Sequence, residues 1–343
     1  MGPEEITSVL ATQETGNVLF VTGKAVARPW GVATGWADEA LSIPLTCDTP
    51  FRIASNTKTF VAATVYRLWE QDKVELSASI HSLCTPRLNA ILSARGYDTK
   101  LITVFHLLNH SSGLWNHADD DYIKTVLANP EHRWTREEQV RLAVAKAGPQ
   151  GKPGAQYLYS DTGYILLGDI IERLTGEPLA HVVRREMRFD RLGMESTWWE
   201  VIEPRPSGVN PSARQFMDGI DVTQIDATMD LYGGGGLMMS ARDQATFMRS
   251  LFENKIFESP RTLREMLQAG PHEGSEIYRG GVAAGAIDGR EVFSHLGFWG
   301  TAVYYAPSPG VSVAGFTTDR MFRPALVKLV EKVLGASPGV EDS

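Results

Sequence analysis

Ser55 and Lys58 stand three residues apart in the stretch FRIASNTKTF, where an extended segment gives way to a helical pattern. A serine hydroxyl is a poor nucleophile near neutral pH and needs a base beside it. A lysine can be that base only when burial or another cation lowers its pKa. Positions i and i+3 share one helical face, so the spacing brings Lys58 within reach of Ser55. A helix N-terminus would also favour the attacking alkoxide and the oxyanion that follows. The pattern alone is weak, since roughly one Ser-x-x-Lys arises by chance in a chain of this length. A helix-capping serine beside a solvated lysine explains it equally well. Two further elements give it company: Tyr159-Ser160-Asp161 at the mouth of a second helical pattern, and Ser294-His295-Leu296-Gly297 at the end of a late strand pattern.

Taken in this order, Ser55-Asn-Thr-Lys58, Tyr159-Ser-Asp161 and His295-Leu-Gly297 resemble the three active-site elements of the penicillin-recognising serine hydrolases. That group holds class C β-lactamases, D-alanyl-D-alanine carboxypeptidases and related esterases. The likeness extends over roughly residues 17 to 320, through TPFRIASNTKTF, VFHLLNHSSGL, YSDTGYILLGDIIERLTG, RLGMEST, GGGGLMMSARDQATFM and HLGFWGTAVYYAP. The resemblance implies that Ser55 attacks a carbonyl, that Lys58 and Tyr159 share the proton transfers, and that the backbone amides of Ser55 and Phe298 form the oxyanion hole. It implies a small-molecule or short-peptide substrate, hydrolysed as an amide or peptide. The alternatives are a short-chain carboxylesterase and a catalytically silent binding relative.

Two positions depart from the most familiar form of these elements. His295 stands where lysine is common, which weakens the pull on a substrate carboxylate. Asp161 stands where many members carry asparagine; an ionised aspartate only accepts hydrogen bonds, so it would suit an amine or hydroxyl donor on the substrate. It could instead pair with Lys58 and keep it charged, leaving Tyr159 the better base, or simply cap its helix. Gly297, at an open strand edge, would let a substrate backbone approach closely.

The elements that must carry these residues follow from periodicity. Residues 17–23 and 30–36 read as paired strands, 57–68 as a helix with a stripe at Phe60, Val61, Val65, Leu68 and Trp69, and the segment from Asp161 as a helix ended by Gly176 and Pro178. Ser240 and Asp243 predict a reciprocal cap. Strands are predicted at 278–286, 290–295, 300–306 and 311–317, then a helix at 324–334. Residues 202–213 read as a surface loop. The expected fold is α+β, an antiparallel sheet flanked by helices: residues 1–53 with 228–343 form the sheet domain, and 54–227 an inserted, mainly helical domain. A cleft between them is the expected active site.

Composition excludes several other functions. The chain has 343 residues, 43% hydrophobic and 22% charged, with a net charge of -8. No basic stripe is present to displace counterions from nucleic acid. Cys47 and Cys84 lack metal-ligand spacing, and His106, His110, His117 and Asp119 to Asp121 match no metal motif, so no metal or other cofactor is expected. Gly233 to Gly236 lacks the Lys-Ser/Thr ending of a phosphate loop, and no Gly-x-Ser-x-Gly occurs. No membrane span is expected. With Glu4 and Glu5 near the start, the chain as given has no signal-peptide pattern, so a cytoplasmic location is expected, or a periplasmic or secreted one if a leader has been removed. Trp115, Tyr157, Tyr232, Phe298 and Trp299 could line the cleft or pack in the core.

Overall fold

The computed structural model describes residues 2–336. The elements that position the site are α1 (Pro3–Leu10), β1 (Asn17–Gly23), β2 (Trp30–Thr34), α2 (Thr57–Glu70), α3 (Asp161–Thr175), α4 (Ala241–Phe252), β3 (Ala283–Ile287), β4 (Arg290–Gly297), β5 (Thr301–Ala306), β6 (Val311–Thr317) and α5 (Arg323–Gly335). The six strands form one antiparallel sheet in the order β3-β4-β5-β6-β1-β2. The two ends of the chain therefore meet at its centre, with Val18 opposite Phe316.

Both faces of this sheet are covered, which explains why its strands read as near-continuous apolar runs. Leu19, Val21, Ala302, Tyr304, Val311 and Val313 pack with residues of α1 and α5 on one side. Their alternate neighbours, among them Phe20, Val303, Ala314 and Phe316, join the main core on the other. A Cβ at Gly315 would stand 3.0 Å from both Leu326 and Val330, so glycine there lets α5 settle closely on β6. On the inner side Phe252 stacks on Tyr305 with centroids 4.4 Å apart.

α2 is the axis of the molecule. Its sequence predicts a stripe, yet every residue from Thr57 to Leu68 is buried. The reason is that it is enclosed all round: Phe60 stacks on Phe247 of α4 at 3.8 Å and meets Phe189 edge-on at 5.8 Å. Each fully buried side chain of this size contributes roughly 1.5–3 kcal/mol. A short three-stranded sheet of Phe51–Arg52, Leu237–Met239 and Trp198–Trp199 ties the start of α2 to the chain before α4.

Two local expectations need correction. Residues 278–282 are not strand. A Cβ at Gly280 would come within 2.6 Å of Tyr66, and one at Gly281 (φ 90°) within 2.3 Å of Ala62, so the glycine pair folds the chain over α2 before β3 begins. The Ser240 cap is one-sided: its hydroxyl accepts from the Asp243 amide, while the Asp243 carboxylate accepts from the Ser196 amide and the Thr197 hydroxyl. Among the described residues no helix is long and apolar enough to cross a membrane.

Candidate active site

Ser55 lies in a single 3-10 turn, Ala54–Asn56, one residue ahead of the N-cap of α2, and makes no capping bond. Ala54 immediately before it has φ 47°, a left-handed conformation that costs an L-residue energy. The turn is held by packing, with Ala54 buried beside Met229 and Trp299. Ser55 thus projects from a constrained backbone into the cleft.

Lys58, one turn on, is fully buried, and its ammonium spends its three protons on three acceptors. These are Ser55 Oγ at 2.9 Å, Gly234 O at 2.7 Å, and Asp161 Oδ1 in a short ion pair. Burial alone would disfavour the charge, but Asp161, Tyr159 and Asp230 outweigh it and raise the pKa above the ordinary lysine value. Asp161 opens α3, where the N-cap Ser160 makes no side-chain cap, and its carboxylate turns to Lys58 instead of its own helix. Burial pushes that carboxyl up; Lys58 and then His117 pull it below the usual range. The internal pairing considered for Asp161 is the one the structure contains.

Tyr159 lies beside both partners: it lines the cleft with Ser55, and the Lys58 ammonium stands 5.3 Å from its ring centroid. Burial raises its pKa, against the pull of Lys58. Behind its ring lies His110, 4.2 Å away between centroids, whose Nδ1 accepts the Ser160 amide. His110 thereby fixes both the ring of Tyr159 and the first residue of the α3 turn.

The third element is arranged differently. His295 is buried, and its Nδ1 lies 3.1 Å from the Leu296 carbonyl while Nε2 lies 3.0 Å from the Tyr278 hydroxyl. A carbonyl only accepts, so Nδ1 carries the proton and Nε2 receives Tyr278. Burial, then Lys58, pushes the imidazole pKa down to about 3, so the ring is neutral. The strand pleat puts Leu296, not His295, on the cleft wall. At Gly297 a Cβ would approach the Ile53 carbonyl to 2.3 Å, so glycine here lets β4 lie against the chain entering the Ser55 turn. Among the described residues the amides of Ser55 and Phe298 enter none of the backbone hydrogen bonds that join elements.

These parts enclose a cleft of about 230 Å³ lined by Ser55, Tyr159, Asp161, Phe298, Trp299 and Asp230, among others. Of the five aromatics singled out in the sequence, Phe298 and Trp299 line it. Trp115 bonds to the Gly148 carbonyl, Tyr157 stacks on Tyr278, and Tyr232 bonds to the Trp134 carbonyl. Sequence reasoning missed Asp230, Asn116 and Arg323. Asn116 Oδ1 accepts the Asp161 amide, and Arg323 donates to the Gly297 carbonyl at 2.9 Å. His106, His117 and Asp119 are dispersed into helix caps and a contact with Thr162. Among the described residues no three metal-ligating side chains come together.

Such a fold and such a set of parts are those of a serine hydrolase. Residues 13–329 match the family model described as beta-lactamase, and the chain belongs to that family. It is 32% identical over 201 residues to esterase EstB of Burkholderia gladioli, covering 55% of this chain and 50% of that protein. It is 25% identical over 285 residues to the putative penicillin-binding protein PbpX of Bacillus subtilis, covering 78% and 64% respectively. The chain thus spans between half and two thirds of these curated relatives. Among solved structures, D-amino acid amidase of Ochrobactrum anthropi superposes with TM-score 0.79 at 25% identity, over 97% of this chain and 99% of that one.

Proposed function

We propose that the protein hydrolyses small acyl compounds through an acyl-enzyme at Ser55. One observation carries this reading: Ser55 Oγ sits 2.9 Å from the amine of a fully buried lysine, beside Tyr159, in a cleft that Ser55 and Tyr159 both line. Ser55 Oγ would bond to the carbonyl carbon while its proton passes to the Lys58–Tyr159 pair, which then protonates the leaving group. Water would break the acyl–Oγ bond in a second step. In the resting arrangement Lys58 is a donor to Ser55, so the pair becomes a base only by losing one proton in common. The amides of Ser55 and Phe298 would receive the oxyanion.

Amide or peptide hydrolysis, of the β-lactamase or D-alanyl-D-alanine carboxypeptidase kind, is the first reading. Arg323 favours it: this cation in the cleft wall supplies the charge for a substrate carboxylate that neutral, buried His295 does not. Short-chain ester hydrolysis is the second, favoured by the match to an esterase. A fluorophosphonate or a fluorescent penicillin should label wild type and not Ser55→Ala; absence of labelling by both reagents would leave a binding protein with this fold. Rates on a chromogenic cephalosporin, a D-Ala-D-Ala peptide and p-nitrophenyl butyrate then separate the substrate classes, and turnover of the ester alone would reject the amide reading.

A further inference from the structure

Asp230 ends the short turn Ala227–Asp230, and its carboxyl rests on the glycine run. A Cβ at Gly235 would come within 2.1 Å of Asp230 Oδ2, and one at Gly234 would stand 3.4 Å from both Asp230 Oδ1 and Asp161 Oδ1. The two carboxyls therefore flank Gly234, and both residues line the cleft. Asp230 also borders a cavity of about 10 Å³ closed by Arg52, Glu200 and Trp299.

The neighbouring cations are already committed. Lys58 serves Asp161, Gly234 and Ser55. Arg52 is held by Glu200 through bonds of 2.8 to 3.1 Å and by the Ile225 carbonyl. Among the described residues no donor hydrogen-bonds to the Asp230 carboxyl. An ionised carboxylate in such a place is costly without a partner. Burial first, with Asp161 and Glu200 adding and Lys58 and Arg52 opposing, raises its pKa to about 7. A hydroxyl donor would leave the negative charge uncompensated. A divalent metal would want six or more oxygens, where one of these two carboxylates is already spent on Lys58. An ammonium matches both the charge and the unmet acceptor.

We propose that Asp230 determines specificity by receiving an ammonium group of the substrate, so that the enzyme prefers small esters or amides carrying a free amine. This rests on the acyl-enzyme reading of Ser55. The test uses methyl esters that exchange a terminal methyl for an ammonium: 3-aminopropanoate against butanoate, and 4-aminobutanoate against pentanoate, at pH 7.5. Wild type should favour an amine member in kcat/KM by about tenfold or more. Asp230→Asn should collapse that ratio, mainly through KM, with the thermal unfolding of the variant measured alongside. Butylammonium should also inhibit wild-type p-nitrophenyl butyrate hydrolysis more strongly than 1-butanol, a comparison that needs no variant. A wild-type ratio near one, a ratio that survives Asp230→Asn, or equal inhibition by the two butyl compounds overturns the proposal. So does a variant that stalls as acyl-enzyme on both ester series alike, which would place Asp230 in deacylation. Turnover of neither series together with an unlabelled Ser55 removes the hydrolase reading itself.

Discussion

The two walls of the cleft handle charge in opposite ways. On the helical wall Lys58, Asp161 and Asp230 crowd together: both carboxyls raise Lys58, and Lys58 lowers both carboxyls. On the strand wall His295 is neutral, Gly297 has no side chain, and the group proposed to act is the Phe298 amide. The difference follows from the elements. The first turns of α2 and α3 project polar side chains toward one another, so their protonation must be tuned. A strand edge offers backbone amides, which need positioning and no tuning. The pH dependence of the chemistry should therefore arise from the helical wall, and an acid sensitivity of the fold from the strand wall.

The largest expected effect is at the proposed nucleophile: Ser55→Ala should lower turnover by about 10⁴-fold or more, read in a steady-state assay with the best ester or amide of the panel. Next, Lys58→Met leaves Asp161 buried without its cation and should cost about 3 kcal/mol by urea unfolding. Adding Asp161→Asn should recover part of that loss. If Lys58→Met destabilises no more than His295→Gln, the contrast between the walls is wrong.

The third prediction concerns acid. The folded pKa of His295 lies below that of an unfolded histidine, so between about 6.5 and 3 the unfolded chain binds the additional proton. Stability is intact above pH 6.5 and falls as pH drops, by roughly 2 kcal/mol for this residue at pH 5. Unfolding of wild type and His295→Gln at pH 7 and pH 5 measures it; equal losses in both would acquit His295. The smallest effect sharpens the helical wall. Asp161 helps to hold Lys58 charged, so activity should rise toward alkaline pH, and Asp161→Asn should move that limb about one pH unit lower. The asparagine amide should also shift the substrate profile toward amides with an acyl-side carbonyl; an unmoved limb and profile would make Asp161 a structural partner alone.

Much of the helical wall was legible because it is local. Ser55 and Lys58 are one turn apart, and Tyr159 and Asp161 sit at a helix mouth with an obvious apolar pattern behind them. Asp230 was not legible: three residues before a glycine run, it has no periodic pattern, and only the fold brings it to Lys58. Arg323 reaches the cleft from the far end of the chain for the same reason. His295 illustrates a subtler limit. The tripeptide marks the strand end, but which residue of a pleat faces the ligand depends on register, and here Leu296 takes that face. The strand boundary at 278–286 failed because Gly280 and Gly281 are demanded by contact with Tyr66 and Ala62, which no local pattern reveals.

The glycine run has a meaning for the energetics of the whole molecule. At Gly233 a side chain would strike the Tyr164 carbonyl, at Gly235 the Asp230 carboxyl, and at Gly236 the indole of Trp199. Such positions let neighbouring groups close in, and they do so with the residue that loses the most freedom on folding, about 0.5–1 kcal/mol each relative to alanine. The run is thus a segment that draws stability from its surroundings, chiefly from the encased α2, and returns it as the close approach of Asp161, Asp230 and Lys58 around Gly234.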